Sequence, residues 1–349
     1  MKKYTIKDIA ELAGVSKGTV DRVIHNRGKV SKDAFDKVNE LLKKIDYQPN
    51  PIARNLKTNK VYNICVLLPD PKKDKFWEPC VDGIEDAVQE FLHFGVNIEV
   101  VLFDPFNKNN FEKQSIAALA LNIDGVLLAP LFKKESGVFI DKCEKAGVTC
   151  FLFNNNIEKS GKQGFVGQNL YLSGRIGAQL IHKSLKNNKT VAIIHIDEIF
   201  KNARHMQEKE WGFRDYFSEL KDNDFEINTY KLKHRDSDNL KKTVKYFIDT
   251  HPEISGAFVT NSKIHLLAAL LKEKNPERCI VGYDLLSENI QYLKSGVVDF
   301  LIHQGPKRQA YLGLVFLIEH FLFAKDIPKK RFLPIGIVNS ENVVTYLDN

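Results

Sequence analysis

The chain has 349 residues, 43% hydrophobic and 27% charged, with a formal net charge of +7. That balance excludes a disordered tail protein and a membrane-embedded one, and the length implies two or three domains. Residues 1–60 hold 14 Lys/Arg against 7 Asp/Glu, whereas the other 289 hold 37 of each, so all the excess charge sits in the first sixth.

A basic segment on a neutral body points to a polyanionic partner, or more simply to a well-solvated surface. The first residues lack the apolar core of a signal peptide. Thr5-x-x-Asp8 predicts a capped helix start, followed by Ile6, Ile9, Ala10 and Ala13 at helical spacing. Gly14 supplies the left-handed turn residue, and Ser16 caps a second helix from Lys17 to about His25. A third helix begins at Ser31, with Ala34, Val38, Leu41, Leu42 and Ile45 on one face. This spacing is a helix-turn-helix signature, whose second helix enters the major groove of DNA. Arg22 is the strongest base reader, since its guanidinium donates two hydrogen bonds to guanine. Lys17 serves a base or a phosphate. Gly18 permits close approach, and Asp21 either accepts from a cytosine amino group or holds Arg22. Asn50-Pro51 then opens a helix too short to stand alone, in which Leu56, with Ala53 beside it, wedges into a minor groove or lies in a plain linker.

The run from Thr5 to Ile24, with Asp46-Tyr47-Gln48-Pro49-Asn50 and Ala53-Arg54-Asn55-Leu56, resembles the lactose-repressor (LacI/GalR) family of bacterial transcription regulators. The resemblance implies a DNA-facing set of Thr5, Ser16, Lys17, Thr19, Arg22, Asn26, Ala53 and Leu56. It departs from the family at Gly18, where a base-reading side chain is usual, and at Asp21, where a small hydroxyl residue is commonest.

From Asn63 onward short apolar runs alternate with amphipathic stretches. Strands are predicted at 64–68, 98–103, 125–128 and 149–153, then at 191–196, 228–232, 256–259, 279–282 and 299–302. The alternation argues two lobes of doubly wound parallel α/β sheet, with a crossover marked by Gly161, Gly164 and Gly167. Ligands bind such sheets beyond the carboxyl ends of the strands. There lie Asp70, Phe76-Trp77, Asn154-Asn155-Asn156, Thr260-Asn261, Tyr283-Asp284 and His303-Gln304. Amides, carboxylates and aromatic faces suit a polyhydroxylated ligand, although Asn and Asp also cap loops locally.

This body resembles the periplasmic-binding-protein-like sugar-sensing domain of the same family, through Phe76-Trp77, Gly83, Lys209-x-x-Gly212-Phe213, Asn261, Gly282-Tyr283-Asp284 and Gln304-x-Pro306. The resemblance implies effector contacts at Phe76, Trp77, Asn154, Asn155, Lys209, Asn261, Asp284 and Gln304. Lys209 replaces the usual arginine, Asn154 a frequent aspartate and Ser262 an aspartate after Asn261. The expected layout is a helix-turn-helix head over 1–48, a hinge over 49–60 and a ligand-binding body over 61–349. Its first lobe spans about 61–160 and 305–327, its second about 164–303 and 328–349.

Catalytic motifs fail on context. Gly14-Val15-Ser16-Lys17-Gly18 matches a nucleophile elbow, but a helix precedes it where a strand is required. His195-Ile196-Asp197 at a strand end suggests either a metal or acid-base pair or, the favoured reading, a structural histidine, and Asp236-x-Asp238 lacks the rest of a calcium loop. Five scattered cysteines without a C-x-x-C pair imply reduced thiols in the cytosol. Tyr311–Ala324 is too short for a membrane span and reads as a buried helix. The sequence thus predicts a cytoplasmic homodimeric regulator, without cofactor or metal, that binds double-stranded operator DNA under control of a sugar-like effector and has no membrane partner. The alternatives are a solute-binding protein without specific DNA binding and, less favoured, an α/β sugar-acting enzyme.

Overall fold

A computed structural model describes residues 4–24, 27–45, 47, 60–157, 163–185, 189–196, 204–221, 224–232 and 237–347. The chain divides into a head ending at Lys60 and a body beginning at Val61. The head is built from α1 (Ile6–Ala13), α2 (Lys17–Ile24) and α3 (Lys32–Lys44). Apolar residues at helical spacing on each bring Ile9, Ala10, Val20, Val23 and Val38 into one small core, against which Leu41, Leu42 and Tyr47 pack.

In the body, strands and helices alternate as the periodicity predicts. The first run is β1 (Tyr62–Pro69), α4 (Glu78–Phe91), β2 (Val96–Phe103), α5 (Lys108–Ala120), β3 (Gly125–Leu128), α6 (Lys133–Lys145), β4 (Thr149–Asn154) and β5 (Gly164–Gly167). The second is α7 (Leu170–Ser184), β6 (Thr190–Ile196), α8 (Arg204–Ser218), β7 (Glu226–Leu232), α9 (Ser237–Thr250), β8 (Gly256–Val259), α10 (Ala268–Lys274), β9 (Cys279–Tyr283), α11 (Ser287–Lys294) and β10 (Phe300–His303). The chain closes with α12 (Pro306–Phe323), β11 (Arg331–Phe332), β12 (Gly336–Val338) and α13 (Val344–Leu347).

Two six-stranded sheets result, in the orders β11-β5-β4-β3-β1-β2 and β12-β10-β9-β8-β6-β7. Among the described residues all pairings are parallel except that of β10 with β12. Central strands are apolar throughout because helices cover both their faces, as in β3 (Gly125–Leu128), which is buried at every position. The aromatic-rich first core gathers Phe103, Phe111, Phe139, Leu152 and Phe165. The apolar stretch at 311–324 lies in α12 up to Phe323, and Ala310, Leu314, Leu317 and Ile318 of that helix are buried. No helix among the described residues is long and apolar enough to cross a membrane. All five cysteines are buried and unoxidised, and burial pushes the Cys65, Cys143 and Cys279 thiols up to about 12.

The sheets correct the expected lobe limits. Gly164–Gly167 is a strand of the first sheet, paired with β4, so the first crossover falls at Gln168–Asn169 and not before Gly164. Arg331–Phe332 also adds to the first sheet, so the final return to the second lobe lies beyond Phe332 and not at 328. Short glycine-flanked strands carry no periodicity of their own, and only their hydrogen-bonded neighbours reveal them. Three segments therefore join the lobes, and Gln168 ties them together. Its side-chain amide donates to the His303 carbonyl at 2.8 Å and to the Pro334 carbonyl at 3.1 Å.

Candidate functional site

Within the head, local chemistry fixes the reading helix. The Thr5 amide donates to Asp8 Oδ2 at 2.8 Å while the Asp8 amide donates to Thr5 Oγ1 at 3.2 Å, which starts α1 with a reciprocal cap. Gly14 ends it at φ 65°, a left-handed conformation that turns the chain into α2. Ser16 Oγ accepts from the Thr19 amide at 3.1 Å and pairs with the Thr19 hydroxyl at 2.9 Å. Thr5, Ser16 and Thr19 thus spend hydrogen-bonding capacity on caps. Lys17, Gly18 and Arg22 stand exposed on α2, over a core held by Val20 and Val23. A methyl group at Gly18 would meet only Ser16 Oγ, at 3.7 Å, so the packing of the head does not demand glycine there. The expected contacts Asn26, Ala53 and Leu56 lie outside the described residues.

In the body, the candidate residues face each other across the two lobes. On the first lobe, a 3-10 turn at Lys75–Trp77 follows β1, and its cap Asp74 accepts from the Phe76 amide at 3.1 Å. Phe76 and Trp77 meet edge to face with centroids 4.9 Å apart, and Trp77 meets Phe153 at 6.1 Å. Asn154 ends β4 at φ 67°, half-buried, with Asn155 beside it.

On the second lobe, α7 and α8 cross almost backbone to backbone. A Cβ on Gly174 would sit 1.9 Å from the Lys209 carbonyl oxygen, and one on Gly212 would sit 1.9 Å from that of Tyr171. This crossing drives Lys209, 1% exposed, into the lobe. Its ammonium donates to the Thr260 carbonyl at 3.0 Å and lies 3.5 Å from the Tyr283 ring centroid. Asp284 follows at the end of β9, at φ 65° and 3% exposed. Its Oδ2 accepts from Gln304 Nε2 at 2.8 Å, and its buried Oδ1 has no hydrogen-bond partner. Burial pushes the Asp284 carboxyl up to about 6 against the pull of Lys209 and Gln304, and Asp74 from the opposite lobe adds to the rise.

Asn261 is engaged within the protein: its Nδ2 donates to the Ile196 carbonyl at 2.7 Å and its Oδ1 accepts from the Lys263 amide at 3.3 Å. It splints the ends of β6 and β8. His195 is structural, the favoured of its two readings. Its Nδ1 pairs with the Thr260 hydroxyl at 2.7 Å and its Nε2 with Glu210 at 2.8 Å. Although burial opposes it, hydrogen bonds from His195, Thr229 and Arg214 hold the Glu210 carboxyl down at about 2. Sequence reasoning missed Asn289, whose buried amide donates to the carbonyls of Ser262, Tyr283 and Asp284 at 2.8, 3.1 and 3.1 Å. A polar residue on the inner side of α11 was the available signal. It also missed the contacts that bridge the lobes, an ion pair between Lys75 and Glu288 at 2.7 Å and the Lys263 ammonium 5.3 Å from the Phe106 ring centroid.

Comparison with known proteins fits both halves. Residues 5–50 match the model of bacterial regulatory proteins of the lacI family, and residues 64–323 match that of the periplasmic binding protein domain. The chain belongs to the periplasmic binding protein domain family and carries a lacI-family head. This lacI-type regulator is 26% identical to a ribose operon repressor of Lactococcus lactis, over 97% of this chain and 98% of that one. It is 24% identical to a sucrose operon repressor of Streptococcus mutans, over 97% and 99%. A crystal structure of a putative LacI transcriptional regulator from Bacteroides fragilis superposes with a TM-score of 0.75 at 27% identity, covering 82% of this chain and all of that one. These relatives are regulators of transcription, and the chain is a DNA-binding regulator and not an enzyme.

Proposed function

We propose that α2 reads an operator through Lys17 and Arg22 while a sugar-like effector, held between the lobes, controls the affinity of the head for DNA. The observation that carries the effector site is Asp284: a buried carboxylate with one oxygen lacking a partner, at a strand end, facing Lys209, Gln304 and the opposite lobe. A binding site tolerates such a group because a ligand hydroxyl completes it. The names of the full-length relatives, ribose and sucrose operon repressors, support a sugar or sugar derivative. Phe76 and Trp77, together with Asn154 and Asn155, line the first-lobe side in this reading.

We infer a homodimer acting in the cytoplasm on a two-fold operator. The first sheet ends in the open edge strand β2, which exposes Val100 and Leu102, and Ile116 is exposed on α5, which packs against that strand. Such an apolar edge is ordinarily covered. Anisotropy with DNA from the upstream region of the gene tests the reading. Arg22→Ala should lose specific binding, at a cost of ~1–3 kcal/mol per bidentate base contact, and keep a salt-dependent nonspecific component. Unchanged operator affinity would remove Arg22 from the reading set.

A further inference from the structure

We propose that Gln168 is the pin of the hinge, the positioning residue that makes the three crossovers turn as one unit and so passes an effector's pull on one of them to the other two. The effector half of that statement rests on the sugar reading above, and the pin itself does not. The first observation is where the side chain goes. Gln168 follows β5 on the first crossover and is 2% exposed. Its amide nitrogen uses both protons at once, on the His303 carbonyl of the second crossover and the Pro334 carbonyl of the third, 135 and 166 residues further along the chain. Its oxygen is buried and takes no hydrogen bond, so this side chain acts through its two donors.

The second observation is what the sheets leave undone. On the first-lobe side β5 pairs with β11, and the Leu333 amide donates to the Gly167 carbonyl at 2.8 Å, so the first and third crossovers leave that lobe side by side. On the second-lobe side β10 pairs with β12, His303 opposite Gly336, so the second and third crossovers meet that lobe side by side. β5 and β10 belong to different sheets and do not pair. Among the described residues, Gln168 supplies the hydrogen bond that joins the first crossover to the second between those two ladders. A segment that turned alone would strand a buried carbonyl without its donor, which is costly away from water, so the three turn together. The second crossover also carries an effector candidate. Gln304 follows His303; its side-chain amide donates to Asp284 on the second lobe, and its carbonyl accepts from Gln309 Nε2 at 2.8 Å. Gln309 lies on α12, which packs on the first sheet, where a Cβ at Gly313 would sit 2.7 Å from Leu127 of β3. An effector that engages Asp284 therefore loads the second crossover, and the two Gln168 bonds carry that load to the others.

Gln168→Met keeps the length of the side chain and removes both donors. Two measurements on the full-length protein test the pin. Spin labels on Lys113→Cys of α5 and Glu273→Cys of α10, both exposed, report the distance between the lobes without any ligand. The five native cysteines are buried and do not compete for the label. The protein with Gln168 should give one or two discrete distances, and Gln168→Met a broad continuous spread. Equal distributions would overturn the proposal. The second measurement uses ribose and sucrose as probes. A sugar that raises the melting midpoint of the wild type should still raise that of Gln168→Met. The change it makes in operator affinity, ~5–150-fold for coupled sites, should fall to within ~2-fold of none. A lowered midpoint with that change intact would make Gln168 a merely structural residue and overturn the proposal. Should the variant not fold, hydrogen exchange on the wild type decides. Peptides covering 165–169, 301–306 and 331–337 should then open with one common free energy, and three separate values would overturn the pin. If neither sugar shifts the wild-type midpoint, the sugar reading falls, and the lobe distances still decide the pin.

Discussion

A carboxyl raised to about 6 by burial is a liability to the folded protein, and Asp284 is informative for that reason. Relative to an unfolded aspartate, it binds more protons between about pH 4 and 6. Its contribution to stability is therefore least unfavourable at the acid end and falls as pH rises through that window. Above about pH 6 the ionised form is present at full cost. Effector binding through Oδ1 needs that ionised form, so affinity should rise between pH 5 and 7 and then level. The groups that act on Asp284 are Lys209, Gln304 and Asp74, and Asp284 in turn acts on the Cys80 thiol. Asp284→Asn should then raise the unfolding midpoint of the ligand-free protein by ~2–5 °C at pH 7.5, gain little at pH 4, and abolish the shift produced by an effector. Melting curves at the two pH values decide it. A midpoint lowered at both would make Asp284 a structural residue. Aspartate at a strand end was legible from the sequence. Its left-handed backbone and orphaned oxygen were not, because both follow from the loop that Asn289 clamps from another helix.

At the level of the elements, the crossing of α7 on α8 sets where Lys209 points. Gly212→Ala would place a methyl group 1.9 Å from the Tyr171 carbonyl oxygen, and backbone cannot yield there as a side-chain tip would. Forcing the helices apart should cost ~1–3 kcal/mol and move Lys209 off the Thr260 carbonyl, weakening effector binding as well. Chemical denaturation and calorimetry read the two effects. Retained affinity with lowered stability would separate the crossing from the site. The run Lys209-x-x-Gly212-Phe213 pointed to this place, but the sequence alone does not distinguish a packing glycine from a flexible one. The three described helices of the head and the long strands were legible because each carries its own cap or apolar period, as Thr5, Ser16 and Ser31 do for α1, α2 and α3. β5, β11 and β12 were not read as strands. β11 and β12 run to two and three residues and are revealed by pairing with strands far along the chain, and β5 has glycine at both ends of its four residues. The same reason explains why the lobe limits at 164 and 328 were misplaced.

Across the whole body, the two lobes are joined by three short segments, so their relative closure is soft unless contacts across the cleft bias it. Lys75 and Glu288, 213 residues apart, form such a contact beside the candidate site. The Lys75 hydrogen bond, with help from Ser287, holds the Glu288 carboxyl down at about 2, so the pair stays charged throughout the physiological range. An exposed ion pair adds little to the stability of a single rigid domain. This one forms only when the lobes meet, so whatever it contributes goes entirely to the closed state, and an effector that needs closure gains by the same factor. Lys75→Glu should therefore weaken effector binding about two- to five-fold without lowering the unfolding midpoint. Glu288→Lys should do the same, and the charge-swapped double variant should recover most of the loss. High salt should shrink the difference between wild type and single variants, since the pair is open to screening. Calorimetry on the four proteins at low and high salt measures all of this. Additive losses in the double variant would show that the two side chains act separately and that closure owes nothing to their pairing.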